Sequence, residues 1–258
     1  MKLKKLWGSL ALAASALGFT AGAQAAPVAL ELALLVDVSG SVDNNEYLLQ
    51  RNGYVNAFND AGIQAAIASF AGGIAVTYIE WSGAAEQSVK VGWTHITDAA
   101  SASAFATSIS NATRNFFGLT APGSAINFVA PLFSGNGFEG ARWVIDVSGD
   151  GAQNDGSNTA TARNNFLSLA SGTEGLTKAI NGLAIGNQTL ANWYSANVAG
   201  GTNSFVIRAD GFDDFAGAVR TKIGREITGE VPEPGSLALL GLAMAGLVLV
   251  KRRQTSKA

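Results

Sequence analysis

Apolar positions along this chain follow two periods. Residues 28–38 form a nearly unbroken apolar run with β-branched members, closed by Ser39-Gly40, and their length predicts a buried strand. Residues 74–81 and 87–93 predict a second and a third strand. The five residues between them, 82–86, make a loop short enough for a hairpin, so the third strand should run antiparallel to the second. Residues 142–148, 179–185 and 204–208 predict strands four to six. Helical spacing separates them. Tyr47, Leu48, Arg51, Tyr54, Val55 and Phe58 mark a helix over 44–60, and Phe215, Val219, Ile223 and Ile227 one over 213–227. Further helices are predicted over 98–111, 122–133, 158–170 and 190–197. Asp98 stands at the start of the first of these and Pro122 in the first turn of the second. Strands alternating with helices give an α/β fold. The expected form is a doubly wound, Rossmann-like, mostly parallel six-stranded sheet with helices on both faces and one antiparallel edge strand.

The two ends depart from this alternation. Lys2, Lys4 and Lys5 precede an apolar stretch over 6–19, and Ala23-Gln24-Ala25 is a small-x-small cleavage site; together they form the pattern of a secretory signal over 1–25. At the other end Pro232-Glu233-Pro234 precedes sixteen uncharged residues, 235–250, and then Lys251-Arg252-Arg253. That run is slightly short for a bilayer span, and the basic cluster after it favours a cytoplasmic end. Residues 26–230 remain as one domain. The whole chain of 258 residues has a formal net charge of −2, but residues 26–230 carry 10 basic against 18 acidic residues. A section at −8 argues against nucleic-acid binding.

Composition removes further chemistry. The chain has no cysteine and a single histidine, His95, so thiolate and multi-histidine metal sites are excluded. No G-x-S-x-G elbow and no phosphate-binding P-loop occurs. Gly135–Gly140 fits G-x-G-x-x-G in letters, but it precedes a strand and opens no helix, so it reads as a loop. Asn154 and Asp155 lack the spacing of a calcium loop and read as a solvated turn, and His95 as a surface or strand-end residue. Trp81, Trp93, Trp143 and Trp193 read as core. Any metal site must use oxygen ligands.

Asp37, Ser39 and Ser41 follow directly on the first strand. Spacing of two places a carboxylate and two hydroxyls on one side of a tight loop, with Gly40 expected to supply an unusual backbone angle. Hard oxygen donors suit Mg²⁺, with Mn²⁺ or Ca²⁺ as alternatives. In a sheet of order 3-2-1-4-5-6, strands one and four are neighbours and their carboxyl ends flank the crevice. Asp150, after strand four, would then meet Asp37, and Thr120 stands just ahead of the helix at Pro122. The same residues also suit helix caps and turns.

Asp37-x-Ser39-x-Ser41, Thr120 and Asp150 resemble the metal-ion-dependent adhesion site (MIDAS) of von Willebrand factor type A domains. The resemblance covers roughly 29–229. The stretches 80–83, 146–151, 180–187 and 215–227 are similar to a bacterial branch of that family with no assigned function. It implies Ser39, Ser41 and Thr120 as direct ligands and Asp37 and Asp150 as direct or water-mediated ones, with a protein partner's carboxylate completing the shell. The usual T-D-G is here Gly149-Asp150-Gly151, and Asp146, inside the strand, is a poor rival to Asp150. The C-terminal end resembles the PEP-CTERM sorting signal. That implies an exosortase as partner, membrane contact through 235–250 before processing, and delivery to the cell envelope, the outer surface or the extracellular matrix; a permanent single-pass anchor in the inner membrane is the alternative. The expected function is cation-dependent recognition of an acidic group, without catalysis. Two alternatives stand beside it: a metal-assisted hydrolase with Glu80 as base, and a structural matrix component with an idle metal site.

Overall fold

The structure is a computed structural model and describes residues 25–229. The signal sequence expected over 1–25 lies almost wholly, and the tail over 231–258 wholly, outside the described residues. Among the described residues no helix is long and apolar enough to cross a membrane.

The main sheet is built on β2 (Leu30–Asp37), β3 (Ile74–Trp81), β4 (Gln87–Ile96), β6 (Arg142–Gly149), β7 (Thr177–Ile185) and β9 (Val206–Ala209). Its order is β4-β3-β2-β6-β7, with β9 parallel to the outer edge of β7, and only the β3–β4 hairpin breaks the parallel run among these six. The six strands thus stand in the expected sequence and the antiparallel pair is where the short loop put it. A seventh strand, β8 (Gly200–Gly201), pairs antiparallel with Ala179 and Ile180 of β7. A separate two-stranded sheet joins β1 (Ala26–Val28) to β5 (Phe138–Gly140). Neither feature has enough apolar periodicity to be read in advance.

All eight residues of β2 and of β3 are buried, because helices cover both sheet faces. On one face Leu30, Leu32, Leu34 and Val36 pack on α1 (Asn44–Phe58), α2 (Ala61–Ala68), α3 (Ala99–Ser110) and α7 (Phe215–Thr228). On the other Ala33, Leu35, Ile79 and Trp81 pack on α4 (Pro122–Val129), α5 (Thr159–Ser168) and α6 (Gln188–Asn197). The helices start where their caps stand. Asp43 and Glu46 form a reciprocal capping box at α1, and Asp98, Asn158 and Asn187 accept backbone N–H bonds at α3, α5 and α6.

Several expectations change in detail. Asp60 is not the end of the first helix. It caps the separate helix α2, accepting from the N–H groups of Gly62 and Ile63. Leu48 is exposed, and the buried face of α1 includes Gln50 and Gly53 instead. Gln50 is buried because its Nε2 donates to the Asp37 carbonyl (3.0 Å). Gly53 is buried because a methyl group there would meet the Phe215 ring of α7 at 2.6 Å. The glycine-rich loop at 135–140 is structural. Asn136 and the Gly140 N–H bond the buried Glu31 carboxylate, which Trp143 Nε1 also reaches at 3.0 Å. Trp81 and Trp143 are buried, and His95 is exposed with a ring nitrogen 2.6 Å from the Gly72 carbonyl.

Candidate metal centre

Parallel pairing of β2 with β6 sets Val36 opposite Ser148, so both chains leave the sheet at the same edge. Asp37 therefore emerges beside Gly149 and Asp150. Ser41 Oγ donates to Asp150 Oδ1 (2.8 Å) and lies 3.2 Å from Ser39 Oγ. The Ser39 N–H donates to Asp37 Oδ1 (2.7 Å). Asp37, Ser39, Ser41 and Asp150, separated by up to 113 positions in sequence, thus form one connected oxygen cluster. Thr120 borders it: a methyl group on Gly151 would sit 3.3 Å from Thr120 Oγ1. Thr120 is not the cap of α4. That position belongs to Ala121, and no side chain caps the helix. Asn154 fixes Thr120 instead, its Oδ1 accepting from the Thr120 N–H (2.8 Å) while its own N–H donates to the Thr120 carbonyl (3.0 Å). Asp146 points to the other face, where Lys222 pairs with it at 2.6 Å.

Gly40 lies at a crowded point, for a different reason than expected. Its backbone does not adopt a positive φ. Its N–H donates to the Gly118 carbonyl (2.8 Å), and a methyl group there would meet the Phe117 carbonyl at 2.9 Å. Close approach of two chain segments requires the glycine.

Arg114 is a residue beside the cluster that sequence reasoning missed. Its Nη2 donates to the carbonyls of Val38 and Ser39, both at 2.9 Å, and its Nε to the Phe116 carbonyl (3.1 Å). The guanidinium also lies 4.0 Å from the centre of the Phe117 ring. It therefore clips the Asp37–Ser41 loop to the segment that carries Thr120. No local pattern marks its hold on the loop, because the Val38 and Ser39 carbonyls lie 76 and 75 positions away.

The electrostatics favour a positive occupant. Burial pushes the Asp37 carboxyl up to about 7; the Ser39 hydrogen bonds oppose this, the Asp150 charge adds to it, and Arg114 pulls it down. Asp150 is raised too, by burial, against the Ser41 hydroxyl. Asp37 Oδ2 is buried and has no hydrogen-bond partner. An orphaned carboxylate oxygen beside a second acid and two hydroxyls fits a hard divalent cation. Among the described residues no three His, Cys, Asp or Glu side chains gather, so such a cation would depend on the hydroxyls of Ser39, Ser41 and Thr120. Glu80, the candidate base, shares the sheet face of Val36, opposite to that of Asp37. It is buried, accepts from the Tyr47 hydroxyl (2.8 Å) and lies 3.5 Å from Lys90 Nζ.

The family described as a protein of unknown function (DUF1194) matches residues 27–231. The chain belongs to that family. A PEP-CTERM protein-sorting motif matches residues 230–253. No relative among curated proteins matches the chain. The DUF1194 domain is similar in fold to proximal thread matrix protein 1 from the mussel byssus (14% identity, 79% of this chain and 48% of that one, TM-score 0.54). It is also similar to the form of that protein with a zinc-occupied MIDAS motif (16% identity, 76% and 46%, TM-score 0.51). A von Willebrand factor type A protein from Catenulispora acidiphila matches at 14% identity over 78% of this chain and 43% of that one, with a TM-score of 0.52. The chain thus spans about half the length of these structures. At such identities the likeness establishes the fold, and that fold is the von Willebrand factor A type.

Proposed function

We propose that this DUF1194 protein is an exported surface protein that holds a divalent cation at Asp37, Ser39, Ser41, Thr120 and Asp150 and uses it to bind an acidic group on a protein partner. The sorting motif implies exosortase processing and export to the cell envelope. The observation that carries the metal reading is the orphaned Asp37 Oδ2, at the carboxyl end of β2 and in the same cluster as Ser39, Ser41 and Asp150. The zinc-occupied MIDAS of the mussel protein supports a divalent cation of some kind. Mg²⁺ is our choice, because carboxylate and hydroxyl oxygens are its usual donors.

Bound there, the cation supplies a local positive centre that an acidic side chain can share. The protein's own residues do the rest. Arg114 holds the loop carbonyls, Asn154 holds Thr120, and Ser41 ties Asp150 to the loop. The reading is one of binding and not turnover, since Glu80 is engaged on the opposite face and can supply no base at the site. A domain with a formal net charge of −8 repels acidic partners at long range, so recognition would depend on the cation. The test is binding of a short acidic peptide, acetyl-Gly-Glu-Gly-amide, followed by NMR with Mg²⁺ and with chelator. Binding that needs Mg²⁺ and is lost in Asp150→Ala supports the reading. Peptide binding indifferent to chelator, or Mg²⁺ uptake with no peptide response, overturns the partner chemistry and favours a matrix protein with an idle metal.

A further inference from the structure

A second buried oxygen without a partner lies at the same place. Tyr194, on α6, is fully buried, and its hydroxyl has no hydrogen-bond partner. A methyl group built on Gly149 would lie 2.6 Å from Tyr194 Oη and 2.6 Å from Asp37 Oδ2. The two orphaned oxygens therefore lie no more than about 5 Å apart at the end of β6, close enough for one water to touch both.

The approach of Tyr194 is built into the sheet. Gly182 of β7 clears its ring, since a methyl group there would meet Tyr194 Cδ1 at 2.8 Å. Gly149, the last residue of β6, clears its hydroxyl. Two glycines on adjacent strands thus open a path from α6 to the underside of the metal loop. Asp37, Asp150 and Asp146 all act on the phenol electrostatically, after burial itself, and hold it in the protonated, donating form.

From this arrangement we infer that Tyr194 is a positioning residue of the cation site: its phenol O–H holds one lone pair of Asp37 Oδ2 through one bridging water, leaves the other lone pair to the cation, and so fixes the orientation of the carboxylate. The inference rests on the reading of Asp37 as part of a cation site. Asp37 Oδ1 is already held by the Ser39 N–H, so a second hold on Oδ2 leaves the carboxylate no freedom to rotate. Tyr194 does not itself touch the cation. Partners of this kind typically change metal affinity by about 10–100-fold when removed.

The test compares wild type with Tyr194→Phe in the full chain, titrated with Mn²⁺ and melted with and without it. We expect Mn²⁺ affinity to fall by about 10–100-fold. The metal-free melting temperature should fall only slightly, because Phe keeps the buried ring and loses one water-mediated hydrogen bond. A merely structural tyrosine lowers the metal-free melting temperature and leaves Mn²⁺ affinity unchanged, and that overturns the inference. Mn²⁺ should also perturb a tyrosine band in the ultraviolet difference spectrum of wild type, and this band should be missing in Tyr194→Phe. Gly149→Ala, whose methyl group takes the shared space, should lose Mn²⁺ affinity as well. If wild type binds Mn²⁺ and both variants bind it equally, only the role of Tyr194 falls. If wild type itself binds none, the cation site falls and the inference with it.

Discussion

Replacing Asp37 with Asn should stabilise the metal-free protein at neutral and alkaline pH. Burial raises the Asp37 carboxyl from an ordinary 3.8 to about 7. The folded protein therefore binds this proton more tightly than the unfolded chain does. Stability of the metal-free form should fall as pH rises through the window from 3.8 to about 7, and stay level above it. Three pH units correspond to about 4 kcal/mol at 1.36 kcal/mol per unit. Asp37→Asn keeps the shape and cannot ionise. Its amide must still find a partner, so a net gain of about 1–3 kcal/mol near pH 8 is expected. Asp150 and Glu226 are raised as well, both by burial, and slope the curve the same way, so the difference between wild type and variant reports Asp37 together with its interaction with Asp150. The assay is urea unfolding with chelator at about pH 5 and pH 8, repeated with excess Mg²⁺. A cation at a hundredfold its dissociation constant adds about 2.7 kcal/mol. That gain should appear in wild type at pH 8, shrink at pH 5, and be absent in Asp37→Asn. Equal pH slopes for the two proteins, or equal Mg²⁺ gains, would refute the reasoning.

Gly40→Ala places a methyl group 2.9 Å from the Phe117 carbonyl, and chemical unfolding should show a loss of about 1–3 kcal/mol. Arg114→Ala removes donors to the Val38, Ser39 and Phe116 carbonyls, so Mg²⁺ titration should show at least a tenfold weaker site, as expected when an outer partner is lost. Lys222→Met leaves Asp146 and Glu226 buried without their cation, since Lys222 Nζ lies 2.6 Å from each, and should cost about 3–5 kcal/mol at pH 8. That cost should shrink toward pH 5 as Glu226, whose carboxyl burial raises, takes up its proton, which unfolding at the two pH values checks directly.

The sheet order was legible because its central strands β2, β3, β6 and β7 are buried on both faces and read as apolar runs, and because a five-residue loop favours a hairpin. The same order brought Asp150 to Asp37 before any coordinates. Short pieces were not legible. Two glycines in β8 and three residues each in β1 and β5 have no period to detect, and α2 hid behind its cap Asp60, which also suits a helix end. The buried face of α1 was misjudged at Leu48, because Gln50 and Gly53 are buried by contacts with Asp37 and Phe215 that no helical pattern encodes. Arg114 and Tyr194 were invisible for the same reason. Each acts on the Asp37 loop from a distant part of the chain, and only the folded topology joins them.

Titration calorimetry of the purified protein with Mg²⁺ and Mn²⁺, beside Asp37→Ala, decides whether Asp37 and its neighbours hold a divalent cation. Wild type should show saturable binding at a single site and the variant none. A folded wild type that takes up neither ion, or a variant that takes them up equally well, would contradict that.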